Sequence, residues 1–183
     1  MKKEAQIKLL ELSKISLWLD DYNDIFSDFD SRPYEQRSLS DDFLLEAKKA
    51  TRDKASGTIE LNILVPQKLR NSHHEIIIKK RLRDYFKKNH FRSKKEIRGL
   101  VNHGLIFTFI GTVLMFVSTL IFFEEAQTTF FLSFLVVMLQ PAGWFLFWEG
   151  LRMVIFESRT KKPEMEFNEK MSKCEIHFLS YQK

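Results

Sequence analysis

The sequence predicts an α+β membrane protein, in which a two-helix transmembrane hairpin carries a small cytosolic α/β sheet domain. The expected element order is β-α-β-α-TM-TM-β. Three observations carry this reading. Residues 104–148 hold no Lys or Arg and only two acids, Glu124 and Glu125, in a chain with 29 basic and 24 acidic side chains. Eleven of the 18 Phe fall between 107 and 156. Outside that block, three short stretches alternate apolar and polar residues with the period of a strand. The mean hydropathy of −0.24 averages over this partition and conceals it. The partition argues against a purely soluble chain, a disordered chain, a collagen or a disulfide scaffold. A length of 183 residues suits one core rather than several.

Taken in order, the soluble elements begin at Lys14–Leu19, where Ile15, Leu17 and Leu19 share one face of a strand. Ser40 is an N-cap with Asp41 and Asp42 in the first turn of a helix that aligns Phe43, Ala47 and Ala50 and ends at Gly57. Thr58–Val65 is the clearest strand, with Ile59, Leu61, Ile63 and Val65 inward, Glu60 and Asn62 outward, and Pro66 closing it. Ser72 and Glu75 form a capping box at the start of a helix carrying Ile78, Leu82 and Tyr85 on one face. Ser93 and Glu96 repeat the pattern and start a second, basic helix that leads into the membrane. Beyond the hairpin a helix runs to about Ser158, Pro163 breaks it, and Lys173–Tyr181 alternates as a last strand with Cys174, Ile176 and Phe178 inward. The domains expected are 1–92, a cytosolic α+β domain; 93–158, the basic juxtamembrane helix and hairpin; and 159–183, a tail whose strand completes the first domain.

Residues 104–123 (GLIFTFIGTVLMFVSTLIFF) and 130–148 (FFLSFLVVMLQPAGWFLFW) are uncharged. At about 1.5 Å per residue each is long enough for a hydrocarbon core of about 30 Å. The basic run Lys79–Arg98 has ten basic residues and two acids, whereas the loop 124–129 has no basic residue. The positive-inside rule then puts both termini in the cytosol and the loop outside. Within the spans, Gly104, Thr108, Gly111, Met115 and Ser118 fall on one face of the first, and Ser133, Gln140, Pro141, Ala142 and Gly143 form a small, polar cluster in the second. Gly111, Ser118, Ser133, Gln140 and Gly143 are the helix-packing candidates. Gln140 needs a hydrogen-bond partner in hydrocarbon, on the first span or on another protomer.

The N-terminal MKKEAQIKLLELSK reaches no apolar run of the about seven residues a signal peptide needs. Lys2 excludes N-myristoylation. A single cysteine, Cys174, excludes an intrachain disulfide and fits a reducing compartment. His73 and His74 point about 100° apart on a helix and rarely share a metal. Cys174 and His177 lie on opposite faces of a strand. Ser158 and Lys161 match a Ser-x-x-Lys pattern in isolation. No phosphate loop, dinucleotide fingerprint, nucleophile elbow or zincin helix is present. No catalytic residue, cofactor or metal is therefore assigned.

Two charged features remain. Asp20, Asp21, Asp24, Asp28 and Asp30 make an acidic run without the glycine and alternation of a calcium loop, so docking to a basic surface is the functional alternative to a solvated loop. Lys79, Lys80, Arg83, Lys87, Lys88, Arg92, Lys94, Lys95 and Arg98 form a surface for anionic lipid head groups or a protein partner. Their place directly before a span explains them more simply than nucleic acid does. The run LDDYNDIFSDFDSRPYEQRSLSDDF, within residues 17–43, resembles a segment of uncharacterised small bacterial two-span membrane proteins. That resemblance implies a bacterial cytoplasmic membrane and carries no activity. The functional expectation is a membrane-anchored, non-enzymatic interaction or regulatory module. The alternative is a small oligomeric pore or transport accessory protein lined by the region of Ser133, Gln140 and Gly143. A homo-oligomer and a protein partner at the cytosolic domain are both compatible with it.

Overall fold

The computed structural model describes residues 14–52, 59–124 and 129–181. Its elements are β1 (Lys14–Trp18), a 3-10 turn (Tyr22–Ile25), α1 (Asp41–Arg52), β2 (Glu60–Pro66), a second 3-10 turn (Gln67–Leu69), α2 (Ser72–Glu124), α3 (Phe130–Arg152), a π turn (Met153–Glu157), α4 (Ser158–Lys173) and β3 (Glu175–Tyr181). They form a small three-stranded sheet with helices and two long apolar helices, an α+β chain. Two compact units result: residues up to Phe91 together with those from Met165 on, and Arg92–Glu164.

The element order differs from the expected β-α-β-α-TM-TM-β in two places. The basic helix and the first apolar segment are one helix of 53 residues, with no break at Ser93. Serine inside a helix costs only a few tenths of a kcal/mol, and Arg92 pairs with Glu96 one turn on, at 3.2 Å. Glu96 is thus a mid-helix partner rather than a capping residue. The second departure is α4, a further helix before β3, which contains Pro163. Pro163 lacks the N–H that would serve the Arg159 carbonyl, but both residues are exposed, so water can serve it. The expected helix stop at Gly57 and most of the loop 124–129 lie outside the described residues.

In the first unit all strand pairs are parallel, in the order β1-β2-β3. Ile15, Leu61 and Ile176 are cross-strand partners, as are Leu17, Ile63 and Phe178. This face meets Phe43 and Ala47 of α1, Ile78, Leu82 and Phe86 of α2, and Met171 of α4 in one buried cluster. Successive parallel strands joined by crossovers of one hand receive their connections on the same face. The alternation of the three strands thus specifies a one-sided core. The only cysteine lies in it; burial pushes the Cys174 thiol up to about 11.

In the second unit α2 and α3 run antiparallel along a seam of small residues. Gly104 meets Gly150, Gly111 meets Gly143, and Ser118 donates to the Val136 carbonyl at 3.4 Å. A Cβ on Gly111 would lie 2.5 Å from both the Gly143 oxygen and the Phe147 nitrogen. Glycine is required here by close backbone approach, not by its dihedral freedom. Seven-residue spacing repeats the contact along both helices. Elsewhere their surfaces are apolar and open: only 11% and 6% of the two apolar windows are buried, whereas a core helix of a soluble protein would be mostly buried. Both helices are long and apolar enough to cross a membrane.

Candidate interaction surface

Among the described residues no helix of the buried cluster covers the second face of the sheet, and its residues are set by register. Lys14, Glu60 and Glu175 make one cross-strand row; Ser16, Asn62 and His177 the next; Trp18, Leu64 and Leu179 the third, with Tyr181 beside Pro66 beyond it. The rows grade from charged through polar to apolar. Trp18 is 66% exposed and Leu179 45%. The rings of Trp18 and Tyr181, from the two edge strands, meet 4.6 Å apart between centroids. The Tyr181 hydroxyl donates to Asp20 at 3.2 Å, tying the end of β3 to the turn after β1.

Asn62 occupies the centre of this face. It is only 9% exposed, and among the described residues its amide has no hydrogen-bond partner. A buried amide left unpaired costs about 1–3 kcal/mol, and asparagine is a poor strand former besides. A valine would fit the central strand better on both counts. The polar residue therefore costs the sheet stability.

A buried polar network braces the strand ends from the core side. The Tyr22 hydroxyl donates to Glu75 at 2.9 Å and accepts from the Asn71 N–H at 3.1 Å. Arg70 grips both oxygens of the same carboxylate, Nη2 to Oε2 at 3.1 Å. Asn71, not Ser72, caps α2: its Oδ1 accepts from the N–H groups of His73 and His74. Glu75 is thereby free to turn from the expected capping box to Arg70. Burial pushes the Glu75 carboxyl up, but hydrogen bonds from Arg70 and Tyr22 outweigh it and hold the group below its ordinary value. A depressed folded-state pKa contributes stability above the unfolded value of about 4.3, lost as pH falls through the folded one. The protection factors of the β2 amides in the full chain, measured relative to intrinsic exchange at each pH, should fall below about pH 4. Glu75→Gln should flatten that acid limb. An unchanged limb in the variant would remove Glu75 as its cause.

The acidic run is largely spent on its own loop. Asp24 accepts from the N–H groups of Asp20 and Asp21, and Asp21 from Asn23, which closes the 3-10 turn. Asp30 takes Arg32 in a two-bond fork and the Ser38 N–H, which together hold its carboxyl far below the usual range. Asp28 is exposed. Of the basic residues, Lys79 lies 5.7 Å from the Phe178 ring centroid. Arg92 joins Glu96 and Lys161 in a chain of charges, and Lys80, Arg83, Lys87, Lys88, Lys94, Lys95 and Arg98 are exposed on α2.

A shallow cavity of about 430 Å³ near His73 and His74 also holds Arg32 and Arg37. Asp30 engages the first guanidinium, and Asn23 and the Ser27 carbonyl engage the second. Cys174 faces the core and His177 the open face, so they share no site. Among the described residues no group of three or more His, Cys, Asp or Glu is placed to hold a metal. Of the packing candidates, Gly111, Ser118 and Gly143 lie in the seam, Ser133 is half-buried, and Gln140 is exposed. Gly150 was not expected in the seam, although its seven-residue spacing from Gly143 repeats that of Gly104 and Gly111.

Comparison of the chain with family models, with curated proteins and with solved structures gives no match.

Proposed function

We propose that this chain is a membrane-anchored interaction or regulatory module without catalytic activity. In this reading α2 and α3 cross the cytoplasmic membrane of a bacterium, with both termini and the sheet unit in the cytosol. The exposure of two long apolar helices supports insertion, and the basic residues before the first span support the orientation. Those residues also hold the chain to anionic head groups, at about 1 kcal/mol per Lys or Arg near the surface. The resemblance of residues 17–43 supports the bacterial setting.

The observation that carries the reading is the open sheet face with Asn62 unpartnered at its centre. A protein partner suited to it brings an apolar side chain to Trp18, Leu64 and Leu179 and a hydrogen-bonding group to Asn62. Stability and function then pull apart at one residue. Asn62→Val should stabilise the sheet unit by about 1–2 kcal/mol, seen as slower exchange of the β2 amides in the full chain. It should also abolish a photo-crosslinked adduct formed in native membranes from a benzophenone residue at Leu179. The same probe at Leu45, exposed on α1, should give no such adduct. An adduct indifferent to Asn62→Val, or equally strong from Leu45, would sink the reading.

A further inference from the structure

Gln140 lies midway along the apolar part of α3, ten residues after Phe130. The hairpin does not satisfy it. Gly143 and Gly150 turn toward α2, whereas Gln140 is exposed and, among the described residues, its amide has no hydrogen-bond partner. The neighbouring hydroxyl, that of Thr119, already donates to the Met115 carbonyl at 2.8 Å. Pro141 has no N–H to give the Val137 carbonyl four residues earlier, so a second polar group on this face is short of a donor. Trp144, one turn on, is 60% exposed and its indole N–H is also without a described partner. A shallow cavity of about 500 Å³ lined by Met115, Thr119, Gln140, Pro141 and Trp144 opens beside the amide.

We infer that this face of α3 is a contact between two copies of the chain inside the membrane, closed by hydrogen bonds of the paired Gln140 amides. The inference rests on the membrane reading above. In hydrocarbon there is no water to serve a primary amide, so a lipid-facing Gln140 leaves its donors and acceptor unpaired. The first span, the nearest alternative partner, does not supply one. A second copy does, because a carboxamide carries donors and an acceptor and so is complementary to itself across a two-fold axis. The Val137 carbonyl on the same face gives the paired amides a further acceptor. The seam of small residues stays inside each hairpin, so pairing copies through Gln140 does not compete with it.

The test uses the full chain fused to donor or acceptor fluorophores at its C-terminus and reconstituted in phosphatidylcholine bilayers. Energy transfer between copies should rise with the protein-to-lipid ratio. Gln140→Leu should weaken association about three- to thirtyfold, the range of single interhelical hydrogen bonds in bilayers. Gln140→Asn, which keeps the amide, should retain most of it. Wild-type chains that stay monomeric while resisting alkaline carbonate extraction would overturn the inference and leave the membrane reading standing. So would a Gln140→Leu variant that associates as strongly as wild type. Chains released by carbonate would overturn both.

Discussion

Deleting residues 174–183 is expected to unfold the sheet unit while leaving the paired apolar helices intact. β3 is matched to β2 at seven register positions, and all strand order depends on β2 being central. The deletion strips one edge of β2 and removes Cys174, Ile176 and Phe178 from the core. Burial of a large apolar side chain is worth about 1.5–3 kcal/mol, and a domain of this size has about 5–15 kcal/mol in all. The loss therefore approaches the whole stability of the unit. In micelles, protease should cut the truncated chain within 60–66 while residues 104–123 stay protected. A point change tests the same idea more gently. Phe178 packs edge-on to Tyr22, 5.8 Å between centroids, and Phe178→Ala should cost about 3–4 kcal/mol. Unchanged protection of β2 in the truncated chain would reduce the tail to an appendage.

Gly111→Leu should have the largest effect in the helix pair. Ordinary overpacking costs about 1–3 kcal/mol because side chains give way. Here the atoms met at 2.5 Å are the Gly143 oxygen and the Phe147 nitrogen, backbone atoms with no rotamer to change. The helices must separate, which breaks the Gly104–Gly150 contact and the Ser118 hydrogen bond together. The midpoint of unfolding by sodium dodecyl sulfate in mixed micelles should fall accordingly. Gly99→Ala is the control: a Cβ there meets nothing within 4 Å, and the helix should gain up to about 1 kcal/mol. If both variants unfold with the wild type, the seam does not hold the hairpin.

How much of this was legible depended on whether a signal was local. The strands at Ile15, Ile63 and Phe178 alternate so regularly that their inward faces follow from period alone. The seam face of α2, Gly104 through Ser118, followed from helical spacing. Three things did not. Ser93 and Glu96 look like a helix start, yet helix formers on both sides carry the chain through them. Pro163 looks like a stop, and the exposure that makes it tolerable is a tertiary property. Asn62 was legible as outward-facing but not as buried, because the strands on either side, with Ser16 and His177, are brought beside it only by the pairing order. The unpartnered amide at the centre of the face therefore had no signature within its own segment.

The arrangement of the sheet sets an order of events during synthesis. β1 and β2 leave the ribosome well before β3, the strand that completes their sheet. Two long apolar helices are translated in between. The nascent chain therefore carries an unpaired β2 edge and an uncovered apolar core for as long as the two apolar helices are being made. Chaperone capture of that intermediate, and proteolysis of any chain that stops short, would be built into its biogenesis. The sheet closes only after β3 clears the exit tunnel, so a folded sheet unit certifies that both long apolar helices have been synthesised.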